Sequence, residues 1–387
     1  MHRNLLLTVS CLLAGPVFSC TLLWAESKWE KADYGPCLSF AMDVSEGKLK
    51  DTIRFADTRN YVFRARVISL DAARQLNIAY DTELMRVAGA WSGGFLAYGG
   101  ATKSMGPTPA GKMQFTTGRR PGWSIDGSWD DPRDPREGPL PREIAKYRGV
   151  YLHGRRVIVS YTVGDCEVLE MPDATLFDGT AFFTRNFTLG PSKHNLSVLL
   201  SEETDTPDKS GVLRAFVTGG AKVKKKNGLL FLTIPARAGH MNFRVTLARG
   251  GNTVPAEKTI VHLGALTRGG PARWNKTLTT LGKRGEDNDA YALDTLTAPD
   301  DNPWGSWLRF SAVDFFADGR AALTTWDGDV WIVSGIDDKL GGLRWRRYAT
   351  GLQMPLGIRV VKGKVYTVGR DQLTRLHDLN GDGEADY

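Results

Sequence analysis

Apolar and polar residues alternate with a period of two in short runs along most of this chain, and the clearest series lies at residues 308–387. Asp314 to Phe316, Ala321 to Thr325, Val330 to Ser334 and Arg344 to Ala349 are separated by Asp318-Gly319, Asp327-Gly328 and Gly341-Gly342. A second round follows in Leu356 to Val361, Lys364 to Val368 and Leu373 to His377. Short strands joined by turn dipeptides and recurring at roughly 40 residues are the pattern of β-propeller blades. A ring needs about four to eight blades. Residues 299–387 are therefore expected to form one to two blades of an incomplete propeller, the front end of something larger.

Residues 26–266 read as further short strands, with helical spacing only near Leu70 to Leu76. Phe243-Arg244-Val245-Thr246-Leu247 predicts one buried and one wet face. Strands at this density favour an all-β fold, with a jelly-roll-like β-sandwich here. Residues 101–144, rich in Trp, Pro and Gly, read as a long loop of functional use, and residues 267–298 as an inter-domain linker.

Composition adds constraints on location. Arg3, the apolar run from Leu5 to Phe18 and Leu23-Trp24-Ala25 make residues 1–25 a signal peptide, so a secreted or periplasmic protein is expected. A lipobox-like stretch ending at Cys20 is the alternative, although Phe18 is bulky for that motif. No later run has the length of a transmembrane segment. Cys37 and Cys166 remain after cleavage, and their spacing decides nothing about pairing. The net charge of +7 is dispersed, and its densest cluster, Lys222 to Lys226, runs into Asn227-Gly228. That dipeptide predicts an exposed hairpin arm, with an anion-binding patch as the alternative; nucleic acid is not expected as a partner.

Asp378-Leu379-Asn380-Gly381-Asp382-Gly383-Glu384-Ala385-Asp386 has oxygen side chains at the first, third, fifth and ninth positions of a calcium loop and Gly at the sixth. Asp378, Asn380, Asp382, Glu384 and Asp386 are the candidate Ca2+ ligands, against the alternative of an acidic turn between strands. His153, His194, His240, His262 and His377 are isolated and read as structural or surface residues. Asp130, Asp131, Asp134 and Glu137 lie close together, but Arg133, Arg136 and Arg142 offer them ion-pair partners rather than a hydrolytic role. Trp91, Trp123, Trp129, Tyr147 and Tyr151, beside Asp130 and Arg133, suit either a stacking platform for a sugar or the packing of a long loop.

Tyr34-Gly35-Pro36, Trp91-Ser92-Gly93-Gly94-Phe95, Pro121-Gly122-Trp123, Gly138-Pro139-Leu140-Pro141, Tyr151-Leu152-His153-Gly154 and Val159 to Gly164, in that order, resemble an uncharacterised N-terminal domain of large secreted bacterial proteins. Thr325-Trp326-Asp327-Gly328-Asp329-Val330-Trp331 and Gly369-Arg370-Asp371-Gln372 are similar to the opening blades of a propeller of the glucose/sorbosone dehydrogenase type. The resemblance implies, for a full-length protein, a sugar or alcohol dehydrogenase using pyrroloquinoline quinone or haem with a cytochrome-type electron acceptor. This chain has no C-x-x-C-H haem motif, and no catalytic residue carries over onto it. The expected role is a non-catalytic binding or accessory portion of a carbohydrate-related protein, with a structural or interaction domain as the further alternative.

Overall fold

The computed structural model describes residues 32–45, 60–97, 106–202, 212–250, 259–288 and 290–387. The expected signal peptide, with Cys20, lies outside the described residues. The fold is all-β; the described residues build five antiparallel sheets with one short 3-10 turn at Leu263–Thr267.

The first sheet is a meander of β1 (Cys37–Asp43), β2 (Tyr61–Ser69), β3 (Leu76–Asp81), β4 (Arg86–Ala97) and β5 (Thr108–Thr116). After β6 (Trp123–Ile125) come β7 (Ala145–His153), β8 (Arg156–Val163), β9 (Cys166–Phe177) and β10 (Thr180–Leu189). They are followed by β11 (Leu196–Glu202), β12 (Leu213–Thr218), β13 (Lys222–Lys226), β14 (Leu229–Ile234) and β15 (Met241–Arg249). These strands form a six-stranded sheet, β12-β15-β10-β9-β8-β7, and a four-stranded sheet, β13-β14-β11-β6. All three sheets contribute to one core, for example Ile78, Val159, Phe187, Val198, Leu232 and Val245.

At the centre of that core is a charge. Glu170 accepts hydrogen bonds from the Tyr80 and Tyr161 hydroxyls, each at 2.6 Å, and from Arg185 Nε at 2.6 Å. Arg185 Nη1 reaches across to the Leu199 carbonyl at 2.9 Å, so the cluster ties the three sheets together. Burial alone would lower the Arg185 guanidinium, but Glu170 beside it keeps it charged. Burial, followed by the Glu170 charge, pushes both phenols well above their ordinary range, so they remain donors.

Three sequence expectations need correction. The stretch expected as a loop, described from residue 106 to 144, contains two strands: β5 pairs with β4, and β6 pairs with β11. Gly122 makes the approach to β6 possible, because a Cβ there would overlap the Met85 carbonyl. Residues 70–76 form a turn rather than a helix, with Asp71 Oδ1 accepting from the Gln75 and Leu76 N–H groups at 2.7 and 2.9 Å. The wet face expected on β15 is also covered, with Arg244 and Thr246 only 8% and 6% exposed. The basic arm matches expectation: β13 is exposed along its length, and Asn227-Gly228 takes the positive φ values of a tight hairpin.

The linker reading also changes. Within residues 267–298, β16 (Leu278–Thr280) pairs with β20 (Leu343–Ala349), adding an edge to the meander β17 (Phe310–Phe315), β18 (Ala321–Thr325) and β19 (Val330–Ser334). A second meander follows, β21 (Gly357–Val361), β22 (Lys364–Val368) and β23 (Leu373–Leu376). It packs on the first through Ala322, Ile332, Ile358 and Val365. The seven apolar runs foreseen at residues 308–387 therefore all become strands.

Glu170→Gln leaves the Arg185 charge buried without its counter-charge, so a loss of about 3–5 kcal/mol is expected in urea unfolding. Tyr161→Phe removes one donor and should cost about 1–3 kcal/mol. A Glu170→Gln loss no larger than that of Tyr161→Phe would contradict the assigned role of the charge.

Candidate functional site

The structure does not assemble the anticipated aromatic platform. Trp91 is fully buried in β4, its Nε1 donating to the Gly94 and Phe95 carbonyls at 3.1 and 2.9 Å. Trp123 is 3% exposed and packs edge-on against Tyr161 and Phe187. Trp129 lies edge-on to Phe231, with ring centroids 5.5 Å apart, and Tyr151 stacks on Tyr387 at 4.2 Å. Packing of loops and strands consumes these rings, because each buries far more apolar area than the small residues around it. Arg133 is also committed, gripping Asp131 at 2.9 and 2.8 Å and donating to the Gly138 carbonyl. Burial tends to raise the Asp131 carboxyl, and Arg133 more than offsets it, leaving it below the usual range. Asp130 is exposed and accepts the Ser128 hydroxyl at 3.1 Å.

The calcium-like loop spends its oxygens on backbone donors. Asp378 accepts from the Gly381 and Gly383 N–H groups at 2.7 and 2.9 Å, and Asp382 Oδ1 from Glu384 N–H at 2.9 Å. Asn380 reaches the Gly270 carbonyl at 2.7 Å. Glu384 accepts the Arg273 and Trp274 N–H groups at 2.7 and 2.6 Å, and Asp386 accepts those of Gly270 and Leu379 at 2.9 and 3.0 Å. Glu384 and Asp386 are nearly enclosed by these contacts. Among the described residues, no group of three or more His, Cys, Asp or Glu is arranged to hold a metal ion. These contacts make the loop a clasp that fixes residues 270–274 against the second meander.

That clasp belongs to a longer seam between the sandwich and the two meanders. Arg66 on β2 pairs with Asp371 at 2.9 Å, with both side chains about 5% exposed or less, and donates to the Tyr147 hydroxyl at 3.0 Å. Burial opposes the Arg66 charge, but Tyr147 and Asp371 hold it in place. Arg347 pairs with Asp329 at 2.8 Å, lies over the Trp274 ring and donates to the Asp33 carbonyl at 2.6 Å. Leu152 N–H donates to the Asp386 carbonyl at 2.8 Å, and the Tyr387 hydroxyl to that of Arg148 at 2.9 Å. Cys37 and Cys166 are both free thiols. Burial pushes the Cys37 thiol up to about 11, against the lowering pull of Arg66 and Arg273.

A separate cleft of about 470 Å³ opens beside the start of β9, where residues 190–193 meet residues 237–240. Asp165, Glu167, Ser192, Lys193, Arg237 and His240 line it. Reciprocal backbone hydrogen bonds between Ser192 and Arg237, at 2.9 and 2.8 Å, hold its two rims together. The Lys193 N–H and then the Ser192 hydroxyl hold the Asp165 carboxyl below its usual range. No spacing pattern marks this group, because the turns that form it are about 25 and 45 residues apart and meet only through the β-pairing.

A thiol raised from 9.0 to about 11 has about 100-fold less thiolate at pH 8. In a Cys11→Ala, Cys20→Ala, Cys166→Ala background, native Cys37 should therefore react with a disulfide reagent at pH 8 about 100-fold more slowly than the unfolded chain. Its rate should climb as pH passes 9 and approaches 11, and its contribution to stability should fall over the same interval, since only the unfolded thiol ionises there. Equal rates in the two states at pH 8 would contradict this burial.

No curated protein matches the chain. Residues 78–170, from β3 to the buried Glu170 of β9, match the family described as Domain of unknown function (DUF6797).

Proposed function

We propose that this chain is a non-catalytic binding and accessory portion of an exported carbohydrate-related protein. One observation carries the reading: four of the buried carboxylates, Asp81, Glu170, Asp329 and Asp371, each face an arginine, an arrangement that suits a structural rather than an acid or base role. The cleft beside β9 supports the binding half of the proposal. Its volume suits a monosaccharide or disaccharide, and its polar groups stand at the rim with Pro191 and Ala238 beside them.

A second reading is a quinone- or cytochrome-linked sugar or alcohol dehydrogenase in which these meanders are the first blades of a longer propeller. It is favoured by the apolar residues left exposed on the meanders, among them Val313, Phe315, Leu356, Val368 and Leu373. Pyrroloquinoline quinone, haem and an electron-accepting cytochrome belong to this reading only.

Glycan-array screening of the chain should reveal saturable binding, and Ala238→Trp, which fills the cleft, should abolish it. Sugar-dependent reduction of an artificial electron acceptor, with or without added quinone, should stay at background. Binding unaffected by Ala238→Trp, or quinone-dependent acceptor reduction, would overturn the proposal.

A further inference from the structure

The cleft has an unbalanced charge at its wall. Arg237 Nη2 donates to the Gly190 carbonyl at 2.7 Å and to Cys166 Sγ at 3.1 Å, and Nη1 donates to the Pro235 carbonyl at 3.3 Å. Every one of these anchors is neutral. The Cys166 thiol supplies no counter-charge, because burial raises it more than Arg237 lowers it. Arg237 Nε is enclosed and has no protein partner. Among the described residues, no carboxylate lies within ion-pair distance of Arg237 or of Lys193, the second cation of the cleft.

The two carboxylates of the lining do not fill that gap. Asp165 accepts the Ser192 hydroxyl at 2.9 Å and the Lys193 N–H at 3.0 Å. Glu167 is turned to Arg148, with Nη1 2.8 Å from Oε1. A guanidinium fixed by several neutral anchors and left without a counter-charge is pre-organised for an anion, since little side-chain entropy remains to be lost on binding. Arginine favours planar oxyanions, and carboxylates are the planar case. The acceptor oxygens of Asp165 and the exposed His240 ring stand on the same rim, where they suit hydroxyl groups rather than a second anion.

We propose that the cleft binds a hydroxylated carboxylate of sugar-acid type, with its carboxylate at Arg237 and Lys193 and its hydroxyls towards Asp165 and His240. This deepens the binding reading above and rests on it. The ligand class follows from the charge: a neutral sugar would leave the Arg237 and Lys193 cations without a counter-charge, whereas a sugar acid supplies one.

The test is calorimetric titration of the full chain with D-glucuronate and, separately, with D-glucose. D-glucuronate should bind at least about 10-fold more tightly than D-glucose, and Arg237→Gln should weaken it by about 10-fold or more. Lys193→Ala should weaken it several-fold, and the preference for the acid should shrink as salt is raised. Because Arg237 also holds the Gly190 turn, its variant is read only if its melting matches the parent; otherwise the surface pair Lys193→Ala, His240→Ala decides, with the same expected loss of preference. Equal affinity for the two sugars, or D-glucuronate affinity unchanged in the deciding variant, overturns the sugar-acid assignment while leaving the cleft a binding site. No binding of either ligand overturns both.

Discussion

The buried ion pair between Arg66 and Asp371 is the contact on which the arrangement of the whole chain depends. Two charges nearly removed from water are tolerable only as a pair, so separating β2 from the turn that carries Asp371 would leave each desolvated and alone. The Tyr147 hydroxyl accepts from Arg66 Nε, which brings β7 into the same joint. Around this pair the other seam contacts fall into place: Arg347 with Asp33, Glu384 with residues 273–274, and Asp386 with Gly270. The sandwich and the meanders thus meet through specific buried polar groups rather than through a greasy face that could slide.

The same rule is repeated inside each part. Glu170 is matched by Arg185 and two phenols in the sandwich, and Asp329 by Arg347 and Ser306 in the first meander. A core containing such groups has few alternative packings, because a shifted register would orphan a charge. This explains why so many arginines of a basic chain are structural. Arg237 differs from these, being half-buried and held by neutral partners.

Much of the fold was legible in the sequence because β-structure writes itself in period-two alternation and turn dipeptides. Asn227-Gly228 forecast its hairpin correctly, and the seven runs at residues 308–387 became strands. Local pattern failed where pairing is long-range. β5 and β6 were hidden in a Gly- and Pro-rich stretch, and β16 in an apparent linker, since short edge strands take their structure from partners far away. The candidate site was less legible still. Trp123 in the core and the half-buried Trp129 against Phe231 carry the same residue type as they would at a sugar platform, and the calcium spacing of Asp378 to Asp386 equally serves a loop that binds backbone N–H groups. Which use applies is decided by what faces the side chain, and only the tertiary structure supplies that.

The central claim is that the sandwich and the meanders form one cooperative unit through the seam. Differential scanning calorimetry of the chain tests it directly. One unfolding transition is predicted, splitting into two when Arg66→Ala and Asp371→Ala are combined. Two independent transitions in the unmodified chain would contradict the claim.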